Sequence, residues 1–162
     1  MEALNLPILR IVSGGQTGAD RAGLDWAIKH GVPHGGWCPK GRRAKDGPTD
    51  ARYQLQETPS SNYLQRTEWN VRDSDGTVIF SVGKRLSGNS VETLEFAIKR
   101  RKPYLHLSAV FKEHAASALK RWMQENNIRV LNVAGPRESK EPEVAAFVIS
   151  TLDQALRHDQ TA

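Results

Sequence analysis

The stretch ILRIVSGGQTGADRAGLDWA, residues 8–27, decides the fold of this chain. Ile8–Val12 is a β-branched, apolar run of strand length that stops at a glycine-containing turn, as a buried parallel strand does. Thr17–His30 follows with apolar residues at helical spacing, and we expect Thr17 to cap this helix with Asp20 three residues on. The stretch therefore predicts a strand that passes into a helix through a glycine-rich loop.

The same alternation of strand and helix continues along the chain. Apolar and β-branched runs predict further strands at Thr77–Val82, Tyr104–Leu107 and Ile128–Val133. Helical spacing predicts four more helices. The first runs from a cap at Ser60 or Ser61 to about Asn70, and the second from a cap at Asn89, with Glu92 at the third helical position, to Pro103. The third runs from a cap at Ser108 to Asn126 and Asn127, and the last covers Glu143–Arg157. Because this alternation implies right-handed crossovers, we expect an α/β fold with a doubly wound, mostly parallel sheet and helices on both faces.

The segment 31–59 interrupts this alternation. It is rich in glycine, proline and charge, with a short strand expected around Gly36 to Cys38. Long irregular segments inside compact domains are often binding segments or lids. The 162 residues fit one domain, 1–162, with no internal repeat or linker, so we expect a single domain that carries a long basic loop at 31–59.

Charge and composition narrow the classes of function. The chain has 23 Lys and Arg against 18 Asp and Glu, a net charge of +5, which favours anionic partners. Lys40, Arg42, Arg43 and Lys45 lie in a run that contains no acid. No helix-turn-helix, zinc-finger or aromatic-rich ribonucleoprotein motif is present, so nucleic-acid binding is the less favoured interpretation of this charge.

The sequence also bears on location and on metal sites. The longest apolar run, residues 144–149, is too short to span a bilayer, and Glu2 stands where a signal peptide has basic residues. Cys38 is the only cysteine, and the five histidines lack metal-binding spacing. We expect a cytoplasmic protein with no membrane association and no protein-held metal. Cys38 is interpreted as a packing residue, although the basic residues that follow it would lower the pKa of a reactive thiol.

Three loops that follow strands carry residues suited to an anionic ligand. In a parallel sheet such loops meet at the carboxyl ends of the strands, where ligands bind. Ser13–Asp20 and Gly83–Glu95 place glycines before a helix N-terminus, and Ala134–Pro142 adds an arginine. Their spacing matches neither a Walker loop nor a dinucleotide motif. The candidate ligand-binding residues are Gly14, Gly15, Gln16, Thr17, Gly18, Lys40, Arg42, Arg43, Gly88, Asn89, Ser90, Gly135, Arg137 and Ser139.

Four blocks that occur in a fixed order resemble the molybdenum carrier family: SGGQTGADRAGLDWA (13–27), GWCPKGRRAKDGP (36–48), NYLQRTEWNVRDSDGTVIFS (62–81) and LNVAGPRES (131–139). The resemblance covers most of the chain and implies a Rossmann-like fold related to the LOG-like nucleotide-binding superfamily. It also implies a non-catalytic carrier of the molybdenum cofactor (molybdopterin), an anionic phosphorylated pterin that brings its own metal. A homo-oligomer, dimer or tetramer, with molybdoenzymes as recipients, is part of the same expectation.

An enzymatic alternative stays open. The wider superfamily contains hydrolases that cleave the N-glycosidic bond of nucleotides, and Thr93-Leu94-Glu95 resembles a degraded form of their motif. Glu95 or Asp20 would then be the catalytic carboxylate. A glutamate in the first turns of a helix is, however, most often a solvated residue that the helix dipole favours. A non-catalytic binding protein is therefore the favoured hypothesis, and a nucleotide-binding enzyme that cleaves an N-glycosidic bond is the alternative.

A few aromatic and charged residues outside these loops need an interpretation. The loop position of Trp37 leaves it free to cover a flat ring, whereas the other three tryptophans are expected in packing. Asp73 and Asp75 are interpreted as turn formers near the opposite end of the sheet. We expect Arg66 in the same region, paired with Glu68 or in a contact between subunits.

Overall fold

The structure is a computed structural model in which residue 8 and residues 10–156 are described. Its strands are β1 (Arg10–Val12), β2 (His34–Gly35), β3 (Trp37–Cys38), β4 (Gln56–Glu57), β5 (Gly76–Ser81), β6 (Tyr104–Ser108) and β7 (Val130–Ala134). Its helices are α1 (Ala19–Lys29), α2 (Tyr63–Arg72), α3 (Asn89–Lys99), α4 (Lys112–Glu125) and α5 (Val144–Leu156). Leu9 of the predicted first strand, and Arg157 of the predicted last helix, lie outside the described residues.

Five strands form one sheet in the order β2-β1-β7-β5-β6, and every neighbouring pair is parallel. The chain moves outward from β1 to β2 and from β5 to β6, and β7 then returns between β1 and β5. The α/β, doubly wound, Rossmann-like architecture expected from the sequence is confirmed. This order places the loops after β1, β7 and β5 side by side at the carboxyl rim of the sheet.

The two faces of the sheet are packed differently. On one face α1, α4 and α5 bury the main apolar core, in which the rings of Phe80 and Phe147 meet edge to face at 5.4 Å between centroids. On the other face α2 and α3 pack together over polar side chains, where Asn132 Nδ2 donates to Thr77 Oγ1 at 3.1 Å. Within the described part of the chain, no helix is long and apolar enough to cross a membrane. The polar layer under α2 leads to the carboxyl rim.

Three predicted helix caps are wrong. The N-cap of α1 is Gly18, which makes no side-chain cap, and the hydroxyl of Thr17 instead accepts from the backbone N–H of Glu138 at 3.3 Å. Asn62 caps α2, because its side chain accepts from the N–H of Leu64 at 2.7 Å. The N-cap of α3 is Gly88, so that Asn89 is the first helical residue. Glycine caps leave the first amides of α1 and α3 without a side-chain partner of their own.

Ser108 caps a different element from the one expected. Its hydroxyl accepts from the N–H of Val110 at 3.1 Å and so caps the 3-10 turn Ala109–Phe111, after which α4 begins at Lys112. The cap prediction identified the right residue but placed the start of the helix too early.

The segment 31–59 contains more regular structure than the sequence predicts. β2 pairs with β1 at the edge of the main sheet, and β3 pairs with β4 in a separate parallel ribbon. Strands of two residues are too short to show periodicity, so β2 and β4 were not predicted. In the rest of segment 31–59, Arg42 holds the loop together, because its guanidinium donates to the backbone carbonyls of Thr49, Leu55, Asp50 and Tyr53.

Candidate anion-binding cleft

A cleft of about 200 Å³ opens at the carboxyl rim of the sheet. It lies between the loops that follow β1, β5 and β7 and the first turn of α2. The residues that line it are Gln16, Tyr63, Arg66, Ser87, Gly88, Asn89, Ser90, Gly135, Pro136, Arg137 and Lys140. Residues of all three predicted binding loops therefore meet at one site.

Backbone contacts hold the three loops together. The N–H of Ala19 donates to the carbonyl of Pro136 at 3.2 Å. At Gly18, with φ +86°, a β-carbon would overlap the backbone of Pro136 and Arg137, so this approach requires glycine. On the other side of the cleft the N–H of Val82 donates to Glu141 Oε1 at 2.6 Å. The loop after β7 is thus fastened to both of its neighbours.

Arg66 forms the buried base of the cleft. It lies in α2, is 7% exposed, and its Nη1 is 3.4 Å from Asp20 Oδ2. Its side chain passes so close to Gly14 that a β-carbon there would overlap the guanidinium. Among the described residues the Arg66 Nε has no hydrogen-bond partner, although buried donors in proteins are nearly always paired. This shielded N–H is therefore an unused cationic donor in a residue that lines the cleft.

The Asp20 carboxylate occupies the position at which the β1–α1 loop was expected to hold an anion. Burial raises the pKa of Asp20 to about 6. The charge of Arg66, backbone hydrogen bonds from Gln16 and Gly14, and the charge of Arg21 lower this pKa but do not offset the effect of burial. Two further amides of the loop are also engaged: Gly15 donates to Ser13 Oγ at 3.3 Å and Thr17 to Gln16 Oε1 at 3.0 Å. The loop cradles an internal carboxylate, so Gly14, Gly15 and Thr17 do not face the cleft with free amides.

The N-terminus of α3 supplies the second wall. Gly88 makes no side-chain cap, and the positive end of the helix dipole at Asn89 and Ser90 faces the cleft. The ammonium of Lys140 lies beside Gly88, 2.7 Å from the position that a β-carbon would take. With Arg66 and Arg137, Lys140 gives the lining three positive charges, and none of the lining residues is acidic.

The basic loop contributes less than the sequence predicts. Lys40 is exposed, and Arg42 directs its guanidinium to backbone carbonyls of its own loop. Arg43 reaches the edge of the site, because its guanidinium stacks on the Tyr63 ring at 4.7 Å from the centroid. Neither Lys40, Arg42 nor Ser139 lines the cleft. Two basic residues of segment 31–59 approach the site through a lining residue: Arg43 stacks on Tyr63, and the backbone N–H of Lys45 donates to Gln16 Oε1 at 2.8 Å.

The two carboxylates of the enzymatic alternative are not in the cleft. Glu95 is exposed on α3, and Asp20 is 3% exposed beneath the β1–α1 loop. Trp37 is not free to cover a ring, because it packs edge to face on Trp69 at 4.8 Å and donates to Asp73 Oδ2 at 2.8 Å. Among the described residues, no cluster of His, Cys, Asp and Glu is arranged to hold a metal ion.

Sequence reasoning missed the position of Arg66 in the cleft. It was expected at the opposite end of the sheet, paired with Glu68 or in a contact between subunits, but it lines the cleft and Glu68 pairs with Arg100 at 3.0 Å. A helix that precedes a parallel strand runs back along the sheet, so the first turn of α2 lies at the carboxyl rim. Helical spacing also places Arg66 on the buried face of α2 with Asn70. That spacing was the signal that could have identified it.

Comparisons with known proteins agree with this architecture. The model of the circularly permutated YpsA SLOG family matches residues 11–156. A crystal structure described as "Putative molybdenum carrier protein", from Syntrophus aciditrophicus SB, is 50% identical, covers 93% of this chain and 96% of that one, and superposes with a TM-score of 0.90. No curated protein matches the chain.

Proposed function

The chain belongs to the circularly permutated YpsA SLOG family, and from this premise we propose that it binds and carries an anionic small molecule, the phosphorylated pterin of the molybdenum cofactor. The 50%-identical relative described as a molybdenum carrier supports a carrier of this kind. What we propose is the identity of the ligand and the recognition of its phosphate group by the cleft.

One observation carries the proposal: the charge and donors of the cleft converge on one point. Arg66 at its base and Lys140 beside Gly88 present positively charged donors, and the first turn of α3 adds the positive end of the helix dipole. Charge-assisted hydrogen bonds of this kind are roughly twice as strong as neutral ones. The arrangement is suited to a phosphate that carries two negative charges.

The division of roles follows from burial. Arg66 is held in place by Asp20 and by its contact with Gly14, so it presents a fixed donor. Arg137 and Lys140 are exposed and can close over a bound group from the rim. In this proposal the phosphate enters toward Arg66, and the ring remains at the mouth of the cleft.

A binding titration tests the proposal. We expect a phosphorylated pterin to bind saturably and the same pterin without phosphate to bind at least about tenfold more weakly. Arg137→Gln removes a rim charge and should weaken binding, whereas Arg121→Gln, an exposed change on α4, should not. Absence of saturable binding by the wild-type protein would refute the proposal.

The hydrolase alternative gains no support from the placement of Glu95 and Asp20, and we propose a binding protein in its place. Incubation with nucleoside monophosphates tests this choice. Release of free base that is lost in Glu95→Gln or Asp20→Asn would restore the alternative.

Assembly and location are part of the same proposal. Tyr104 begins the edge strand β6, Ile98 lies on the adjacent α3, and their exposed fractions are 44% and 55%. An exposed sheet edge with apolar side chains is suited to contact between copies, so we propose a homo-oligomer, with molybdoenzymes as recipients of the cargo. Light scattering should give a multiple of 18.0 kDa, and a monomer would remove this part of the proposal.

The buried free thiol of Cys38 is in keeping with a cytoplasmic location.

A further inference from the structure

We propose that the cleft recognises a free, fully deprotonated tetrahedral oxyanion, of the class of molybdate, tungstate and sulfate, without help from a ring. This inference rests on the proposed function, because it concerns the same site. It differs in the ligand, since the inorganic dianion alone would be sufficient cargo.

The size of the cleft is the first argument. Its volume of about 200 Å³ is below the roughly 300–1,000 Å³ typical of pockets that enclose organic ligands. A fused ring system with its phosphate would have to lie mostly outside. A single tetrahedral anion fits within it.

The lining also lacks a platform for a ring. Among the described residues Tyr63 is the one aromatic that lines the cleft, and the guanidinium carbons of Arg43 and Arg66 lie 4.7 and 5.3 Å from the centroid of its ring. Trp37 is held against Trp69 and Asp73, away from the lining residues. A stacked pterin would therefore have to displace an arginine.

The unpaired Nε of Arg66 is evidence for a ligand that is independent of the helix N-terminus. A buried donor that lacks a partner destabilises the fold, and a charged one does so more strongly. Arg66 is 7% exposed and its Nη1 is directed at Asp20. Nε is shielded from solvent, so an anion in the cleft would pair with it once the Arg66 side chain turned toward the cleft, and would then share the guanidinium with that carboxylate.

The net charge of the site matches a dianion. Arg66, Arg137 and Lys140 contribute three positive charges, and the neighbouring Asp20 offsets part of the charge of Arg66. The ammonium of Lys140 and the first turn of α3 meet at Gly88, on the side of the cleft opposite the β1–α1 loop. The N–H groups of Ser90 and Val91 already donate to the carbonyls of Ser87 and Gly88, at 3.2 and 3.0 Å, so the first turn of α3 contributes its dipole. The donors for the oxygens of the ion are the side chains of Arg66, Arg137 and Lys140.

The absence of a carboxylate from the lining predicts selectivity. At neutral pH inorganic phosphate keeps a proton, and its O–H group needs a hydrogen-bond acceptor. Molybdate and sulfate carry no proton and need no acceptor. The side chains of Ser87, Asn89 and Ser90 can accept from an O–H group, but these neutral groups are weaker acceptors than a carboxylate. The cleft should therefore prefer molybdate and sulfate to hydrogen phosphate.

Isothermal titration of the full chain, in chloride buffer at pH 7.5 and low ionic strength, tests the inference. The probes are molybdate, tungstate, sulfate, phosphate and a phosphorylated pterin. We expect one saturable site for molybdate, tungstate and sulfate, with phosphate at least about tenfold weaker. Lys140→Gln should weaken molybdate binding about tenfold, and Lys99→Gln, an exposed change at the far end of α3, should leave it unchanged. Circular dichroism establishes that both variants are folded.

The remaining outcomes separate the two proposals. If the phosphorylated pterin binds and the free oxyanions do not, the inference is overturned and the proposed function stands. If no probe binds, both are refuted. If molybdate binds equally to the Lys140 and Lys99 variants, the assigned site is wrong. If phosphate binds as tightly as sulfate, the assigned selectivity is wrong.

Discussion

Arg66 Nη1 lies 3.4 Å from Asp20 Oδ2, with the two side chains 8% and 5% exposed. The pair joins α2 to the first turn of α1 beneath the β1–α1 loop. Each side chain compensates the charge of the other, because a buried charge without a partner strongly destabilises the fold. The same pair positions the guanidinium in the cleft, so the proposed binding and the stability of the fold would depend on one contact.

Breaking this pair from one side should destabilise the fold. We expect Arg66→Ala to lower the free energy of unfolding by about 3 kcal/mol, because it leaves Asp20 buried without its partner. Asp20→Asn in the same chain should recover part of that loss, since no charge then remains. Urea denaturation of the two single variants and the double variant gives the coupling energy. Strictly additive effects would show that the pair is not coupled.

The raised pKa of Asp20 makes stability depend on pH. Burial raises this pKa to about 6, above the ordinary 3.8, so between these values the folded state binds a proton that the unfolded state has lost. The contribution of Asp20 therefore favours folding below pH 4 and is lost as the pH rises to about 6. Relative to wild type, Asp20→Asn should gain about 3 kcal/mol of stability between pH 4 and pH 7. A difference that does not change with pH would contradict this assignment.

The sequence predicted four of the five strands of the main sheet but not the base of the site. The runs Ile8–Val12 and Thr77–Val82 and the glycines of the loops are local signals, and they predicted parallel strands with convergent loops, whereas the two-residue strand β2 gave no such signal. The pairing of Asp20 with Arg66 joins residues 46 positions apart, and no local pattern encodes it. Likewise, the carbonyls that Arg42 binds are assembled by the fold of residues 49–55. A basic residue in a loop could therefore not be assigned to ligand or scaffold before the structure was known.

The close approach of Gly14 to Arg66 should tolerate no side chain. Gly14→Ala places a methyl group in the volume of the guanidinium, and we expect a loss of about 1–3 kcal/mol of stability together with weaker anion binding. Gly83→Ala is the matched control, because its β-carbon would meet nothing within 4 Å. Thermal unfolding and titration are measured on both. Equal behaviour of the two variants would show that Arg66 can move aside without effect.

Arg42 should prove to be a structural residue of the basic loop. Arg42→Ala removes hydrogen bonds to four backbone carbonyls, and Arg42→Lys cannot restore them because an ammonium lacks the planar fork. We expect both to lower stability by about 2 kcal/mol and to speed proteolytic cleavage within residues 41–55, with anion affinity of the folded protein kept. Arg43→Ala, which loses one backbone hydrogen bond, is the comparison. Loss of affinity without loss of stability in the Arg42 variants would instead indicate a ligand contact.

Cys38 should be unreactive in the native protein. Burial raises the pKa of its thiol and outweighs the lowering effect of Arg42, and the side chain is 0% exposed in a cluster with Leu24, Tyr53 and Leu55. Because the thiolate is the reacting species, we expect labelling by a disulfide reagent at pH 8 to be at least about 100-fold slower than in the urea-unfolded chain. Arg42→Ala should speed native labelling, since it releases the segment that covers the thiol, whereas Arg43→Ala should not. A native rate close to the unfolded one would mean that this cluster does not seal Cys38 from solvent.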